Sequence, residues 1–181
     1  MGHRALVAYE RPTGGYTVRY SQWGAHGYRL LDAITASTPL GGRRGDEDAV
    51  PCVRPEPVDV VADLAEFAAS AVDPLAHEAA FVVDDGFGVR AFEPLAFWHD
   101  EPTVAFGGAL AALRRDRDPT ADARELRAWR RGAAATGLPN EALGTLSASE
   151  CERAHRRLFD ALDADGRGRT VERIPPRTRD A

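Results

Sequence analysis

Groups able to do chemistry crowd into one stretch, Tyr20-Ser21-Gln22-Trp23-Gly24-Ala25-His26-Gly27-Tyr28. Glycines let a backbone approach a ligand closely, Trp23, Tyr20 and Tyr28 offer stacking faces, and Ser21 and His26 offer proton chemistry. A nucleophilic Ser21 needs an imidazole within hydrogen-bond reach and a carboxylate behind it. His26 or His3 can supply the first, and Glu78 or Asp100 the second. Against that, no GxSxG elbow surrounds Ser21, and a Trp-Gly pair ending a hairpin also serves as a capped sheet corner. Two readings follow: a binding corner made by Trp23, Tyr20 and Tyr28, or a hydrolase centred on Ser21, His26 and His3.

Other constellations carry less. His77-Glu78 and Trp98-His99-Asp100-Glu101 place imidazole beside carboxylate, but neither has HExxH or another spacing of known ligand geometry. No metal site is expected. Asp163, Asp165 and Gly168 match positions one, three and six of a calcium loop, yet Arg167 stands where an oxygen ligand belongs and Ile174 where the bidentate glutamate should be. Walker, Rossmann and kinase fingerprints are missing, so no cofactor is expected. The arginine pairs Arg130-Arg131 and Arg156-Arg157 could neutralise phosphates. Acids interrupt the clusters and no nucleic-acid-binding motif accompanies them, so weak nucleic-acid binding ranks as a second alternative.

The elements that must position these groups are partly legible. His3 to Glu10, the turn at Pro12 to Gly15, and the alternation of Tyr16, Val18 and Tyr20 predict a β-hairpin. Its first strand is apolar on both faces, which predicts a central position covered on both sides. A short helix is expected over 28–36 and a mobile loop over 39–57. A helix is expected over 58–72, from Val61, Leu64 or Ala65, Ala68 and Val72 on one side and Asp59, Asp63, Glu66 and Asp73 on the other. Asp84-Asp85-Gly86 between two β-type runs predicts a second hairpin. Residues 108–114 read equally as strand or helix. Leu126, Trp129 and Ala133 mark a helix over 121–135. Ser147 and Glu150 form a capping box for another helix, whose stripe is Cys151, Ala154, Leu158 and Leu162. Residues 166–181, rich in Arg with Pro175-Pro176 and almost no apolar mass, read as a disordered tail.

Composition bounds the host more than the activity. All 23 basic residues are Arg and none is Lys, and 28 acids leave a net charge of −5. Lysine's strongly hydrated ammonium is disfavoured relative to arginine in a salt-rich cytoplasm, so an acid-rich, lysine-free chain points to such a host. Residues 1–113 hold 8 Arg against 16 acids, whereas 114–181 hold 15 against 12. In molar salt the Debye length is about 3 Å, so this asymmetry steers little over distance. Cys52 and Cys151 lack CxxC spacing and are expected to be reduced. Neither a secretion signal nor a run of about eighteen apolar residues is present, so a cytoplasmic protein without a membrane span is expected.

The opening MGHRALVAYERPTGGYTVRYSQWGA resembles an uncharacterised haloarchaeal domain family that begins with the same strand, turn, strand and Ser-x-Trp-Gly corner. The likeness extends more loosely through FVVDDGFGVRAF and the helix bearing Trp129. It implies a shared fold and a haloarchaeal host, and no assigned activity. Members of that family often carry His at the place of Gln22, and its replacement here removes a proton-transfer group from the corner.

The expected architecture is therefore a single α+β domain, residues 1–165. Its antiparallel sheet of about four to six strands is built from two hairpins and covered by three main helices. The expected function is a small intracellular binding or regulatory protein without catalysis. Its partner is not readable from the sequence.

Overall fold

A computed structural model describes residues 3–42, 51–100, 105–137, 153, 156–162 and 169–178. The strands are β1 (Ala5–Glu10), β2 (Tyr16–Ser21), β3 (Pro57–Val61), β4 (Ala79–Val83), β5 (Val89–Asp100), β6 (Ala105–Ala112) and β7 (Val171–Thr178). They form one sheet in the order β3-β2-β1-β4-β5-β6-β7. Four helical segments accompany it: α1 (Leu30–Ala33), α2 (Leu64–Glu66, continued by a wider turn over Phe67–Ala71), α3 (Pro119–Gly137) and α4 (156–162).

Both hairpins form as their turn chemistry requires. Asp84 closes the second, its Oδ1 accepting from the backbone N–H of Gly86 and of Gly88 at 3.0 and 2.6 Å. The all-antiparallel expectation is corrected at one place: β1 and β4 run parallel, with Val7 opposite Phe81. β3 adds antiparallel to the outer edge of β2, and the α2 segment then crosses a face of the sheet to bring β4 in beside β1. The doubly apolar β1 lies centrally, as its pattern demands. Leu6 and Ala8 join Phe67, Val72 and Ile174 on one face, while Ala5 and Val7 join Leu30, Phe81 and Ala123 on the other.

The helix expected over 58–72 is half strand. Val58, Asp59 and Val60 are β-branched or poor helix formers, and the edge of β2 offers their backbone a ladder. Helix begins only after Asp63, whose carboxylate caps Glu66 N–H at 2.8 Å while Glu66 reaches back to Ala62 N–H at 2.5 Å. Val61, Ala68 and Val72 of the expected stripe are buried, whereas Leu64 is only partly buried and Ala65 exposed, and the fully buried Phe67 joins them instead.

The expected disorder of 166–181 is corrected over its described part, 169–178. β7 pairs with β6 through 171–178, Ile174 has no exposed surface, and Arg169 is bound on both terminal nitrogens. One isoleucine, a backbone ladder and a buried ion pair hold a segment whose composition alone could not. Pro175 and Pro176 are tolerated because β7 is an edge strand with a register shift beside it. The ambiguous 108–114 is strand through Ala112; a Cβ on Gly108 would fall 2.0 Å from the Leu95 carbonyl oxygen, so only glycine lets β6 lie against the irregular stretch of β5.

Of the loop expected over 39–57, residues 43–50 lie outside the described residues, as do the capping box at Ser147 and Glu150 and the loop at 163–168. The loop's described ends are pinned by Val53 N–H to Leu40 at 2.8 Å and Arg54 N–H to Tyr20 at 2.8 Å. On the last helix, Leu158 and Leu162 are buried against Leu95 and Leu126, which matches the stripe expected there. No described helix is long and apolar enough to cross a membrane.

Candidate functional site

The corner after β2 folds back on the residues before β1: Ala25 N–H donates to the His3 carbonyl at 2.9 Å. That return brings the His3 ring tilted against Trp23 and edge-on to His26, with ring centroids 6.2 and 4.9 Å apart. β4 starts beside β1, so Glu78 arrives at the same end of the sheet, and its Oε2 meets His3 Nδ1 at 2.9 Å. The imidazole and the carboxylate suggested by the sequence are therefore paired. Both are about half exposed, at 44% and 45%. Such a pair contributes on the order of 1 kcal/mol or less to folding, which leaves its proton chemistry as the interesting property.

Ser21 does not join them. It is fully buried, and its hydroxyl donates to the Cys52 carbonyl at 2.6 Å. A Cβ on Gly24 would sit 2.8 Å from Ser21 Oγ and 2.6 Å from Leu30 Cδ1, so the Ser-x-Trp-Gly segment is packed tightly as a corner. As placed, the Ser21 proton is committed to a backbone oxygen.

The aromatic side chains of the corner part company. Trp23 and Gln22 wall a cavity of about 560 Å³ with Leu40, Cys52, Arg54 and Glu56. Tyr20 stands behind it, its hydroxyl donating to Gln22 Oε1 at 2.6 Å and its ring lying 5.0 Å beneath the Arg54 guanidinium. Tyr28 turns the other way, into the protein. It holds the left-handed conformation at φ 56°, directly after Gly27 at φ 59°. For a residue other than glycine this costs on the order of 1 kcal/mol, and it aims the phenol at β5.

There Tyr28 meets a group that the sequence reading overlooked. Ala91, Glu93 and Leu95 alternate on the face of β5 that α3 covers, so Glu93 occupies a position where an apolar residue is the rule. It is 3% exposed. Arg127 of α3 grips it, Nε on Oε1 at 2.5 Å and Nη2 on Oε2 at 2.9 Å, and the Tyr28 hydroxyl donates to Oε2. Burial raises the Glu93 carboxyl above its ordinary value despite these donors, and burial followed by the Glu93 charge raises the Tyr28 phenol. The parity of β5 was the signal that could have found Glu93.

Beyond this group lies a second cavity, of about 430 Å³, walled by Leu75, Glu78, Glu93, Leu95 and Arg130. Among the arginines named for nucleic acid, Arg130 thus lines a cavity, while Arg131, Arg156 and Arg157 are exposed. Asp122, in the first turn of α3, gathers Arg114, Arg117 and Arg169. Among the described residues, no three His, Cys, Asp or Glu side chains converge to hold a metal ion.

No curated protein and no solved structure matches the chain. A family does: the family of unknown function DUF6735 matches residues 1–54 and 43–165, which together take in the strand-turn-strand opening, the corner, both cavities and α3, and the chain belongs to that family.

Proposed function

We propose that the protein is a small intracellular binding protein whose site is the Trp23 cavity, and that its ligand is a small planar organic molecule. The observation that carries this reading is the cavity itself. At about 560 Å³ it lies within the range of small-molecule sites, and an indole forms part of its wall beside hydrogen-bonding groups of Gln22 and Arg54. A planar ligand stacks on Trp23, and Arg54, braced over Tyr20, meets its polar edge. The lysine-free, acid-rich composition supports a salt-rich host cytoplasm, where stacking and apolar contact survive while long-range charge attraction is screened.

A hydrolase reading draws support from the His3–Glu78 pair with His26 at its side. With the Ser21 hydroxyl engaged by Cys52, that chemistry would use the imidazole as a general base on water rather than serine as nucleophile.

The test uses the full chain with Trp98 and Trp129 replaced by Phe, so that Trp23 is the sole tryptophan, titrated with adenine and nicotinate. At least one should give saturable quenching that weakens about tenfold in Arg54→Ala, a loss of the size expected for one hydrogen bond to a charged group. If none saturates, or if calorimetry finds the same affinity in Trp23→Ala, the binding reading falls.

A further inference from the structure

The wall of the Trp23 cavity is neutral as a whole but carries separated charges. Among the described residues that line it, Arg54 and Glu56 alone are ionic, one of each sign. Both side chains are exposed, and among the described residues neither has an ion-pair or hydrogen-bond partner. They flank Pro55 in the chain and still do not pair with each other. The Arg54 guanidinium rests on the Tyr20 ring, a stacking contact that consumes none of its N–H donors. Gln22 adds a donor to the same wall: its amide oxygen accepts from the Tyr20 hydroxyl at 2.6 Å, which leaves its NH2 group for a ligand.

A cation and an anion held apart on one wall favour a molecule that carries both charges. A plain anion that meets Arg54 also meets the Glu56 carboxylate, and a plain cation meets the reverse difficulty. A zwitterion gives each pole its opposite and leaves the site neutral. Building on the Trp23 cavity as the binding site, we propose that its ligand is an aromatic α-amino acid. Its carboxylate is held by Arg54 and the Gln22 amide, its ammonium by Glu56, and its ring lies against the Trp23 indole. The α-amino acid head suits this wall because both of its charged groups branch from one carbon, as the two side chains branch from positions close together in the chain.

The experiment is calorimetric titration of the full chain with L-phenylalanine, with hydrocinnamate, which lacks the amine, and with phenethylamine, which lacks the carboxylate. Phenylalanine should saturate, and each analogue should bind at least about tenfold more weakly. Glu56→Gln should weaken phenylalanine about tenfold and leave hydrocinnamate no weaker, whereas Arg54→Gln should weaken phenylalanine and leave phenethylamine no weaker. Both side chains are exposed, so neither change threatens the fold. The proposal is overturned if phenylalanine does not saturate, if either analogue matches it, or if Glu56→Gln leaves its affinity unchanged. Phenylalanine failing where adenine or nicotinate binds through Trp23 sinks the zwitterion alone. Phenylalanine binding with undiminished affinity to Trp23→Ala sinks the cavity as the site, and the zwitterion with it.

Discussion

Two buried carboxylates, Asp122 on α3 and Glu93 on the strand beneath it, are each gripped by arginine, and they end with opposite proton affinities. Asp122 has no exposed surface, and Glu93 is 3% exposed. Burial alone would raise both. Asp122 is nevertheless held down at about 2, because Arg169 binds both of its oxygens at 2.5 and 2.8 Å while the Arg114 backbone N–H adds a fixed donor at 2.9 Å. Its place in the first turn of α3 adds the positive end of the helix dipole. Glu93 has two side-chain partners, Arg127 and Tyr28, and Arg127 is 46% exposed. Burial wins there, and the carboxyl moves up. The difference teaches that the number and fixity of charge-assisted donors, rather than the presence of an arginine, decide whether a buried acid stays ionised. The closed network ties β7 to the domain, whereas the open one borders a cavity.

The sharpest way to break the comparison is at Asp122. Asp122→Ala strands Arg169, whose side chain is only 5% exposed, beside an emptied pocket. Removing one partner of a buried pair costs about 3–5 kcal/mol, and urea unfolding of the two proteins would read it directly. Amide exchange should locate the loss in β7, at 171–174. A cost under about 1 kcal/mol, with β7 still protected, would mean that the ladder to β6 holds the strand unaided. The same carboxylate sets an acid limb. Its folded value lies below the ordinary 3.8, so its contribution of about 2 kcal/mol is complete above that value and is lost as pH falls toward 2. Asp122→Asn should lack this limb.

Ile174→Ala tests the apolar half of the same anchor. Ile174 is fully buried among Val18, Val61, Phe67 and Leu110, so truncation should cost about 3 kcal/mol through lost transfer energy and a cavity. A cost near zero would place β7 outside the cooperative unit.

What the sequence made legible divides along physical lines. Local, periodic signals were readable: the two hairpins, the doubly covered β1 and the helix bearing Leu126 and Trp129. Relations that depend on distant partners were not. The parallel pairing of β1 with β4 depends on a crossover that no short pattern encodes. β7 was mistaken for a disordered tail because its anchor is an Arg169–Asp122 pair 47 residues apart, invisible to composition. At the site, the imidazole of His3 and the carboxylate of Glu78 meet, and their meeting depends on that same crossover. Ser21 lies apart from that pair because a short hydroxyl in a glycine-rich corner bonds nearby backbone as readily as it faces a substrate. Glu93 was overlooked because one acid in an apolar strand reads as an exposed position until the parity of Ala91 and Leu95 is applied.

The smallest expected effect is the most discriminating, because it turns on sign. Glu93→Gln keeps the shape and a hydrogen-bonding side chain, and half-exposed Arg127 can turn to water, so the cost near pH 4 should be about 1 kcal/mol or less. A carboxyl whose folded value is raised contributes stability that is complete below its unfolded value and lost as pH rises through the folded one. The stability of the wild type relative to Glu93→Gln should therefore fall with rising pH from about 4.3 upward, the reverse of the slope at Asp122. Tyr28 and Arg127, both shifted up, keep their protons across this window. Melting curves of both proteins across the acid-to-neutral range would show it. If the difference is flat or rises with pH, Arg127 holds Glu93 ionised as firmly as Arg169 holds Asp122, and the distinction between an open and a closed carboxylate fails.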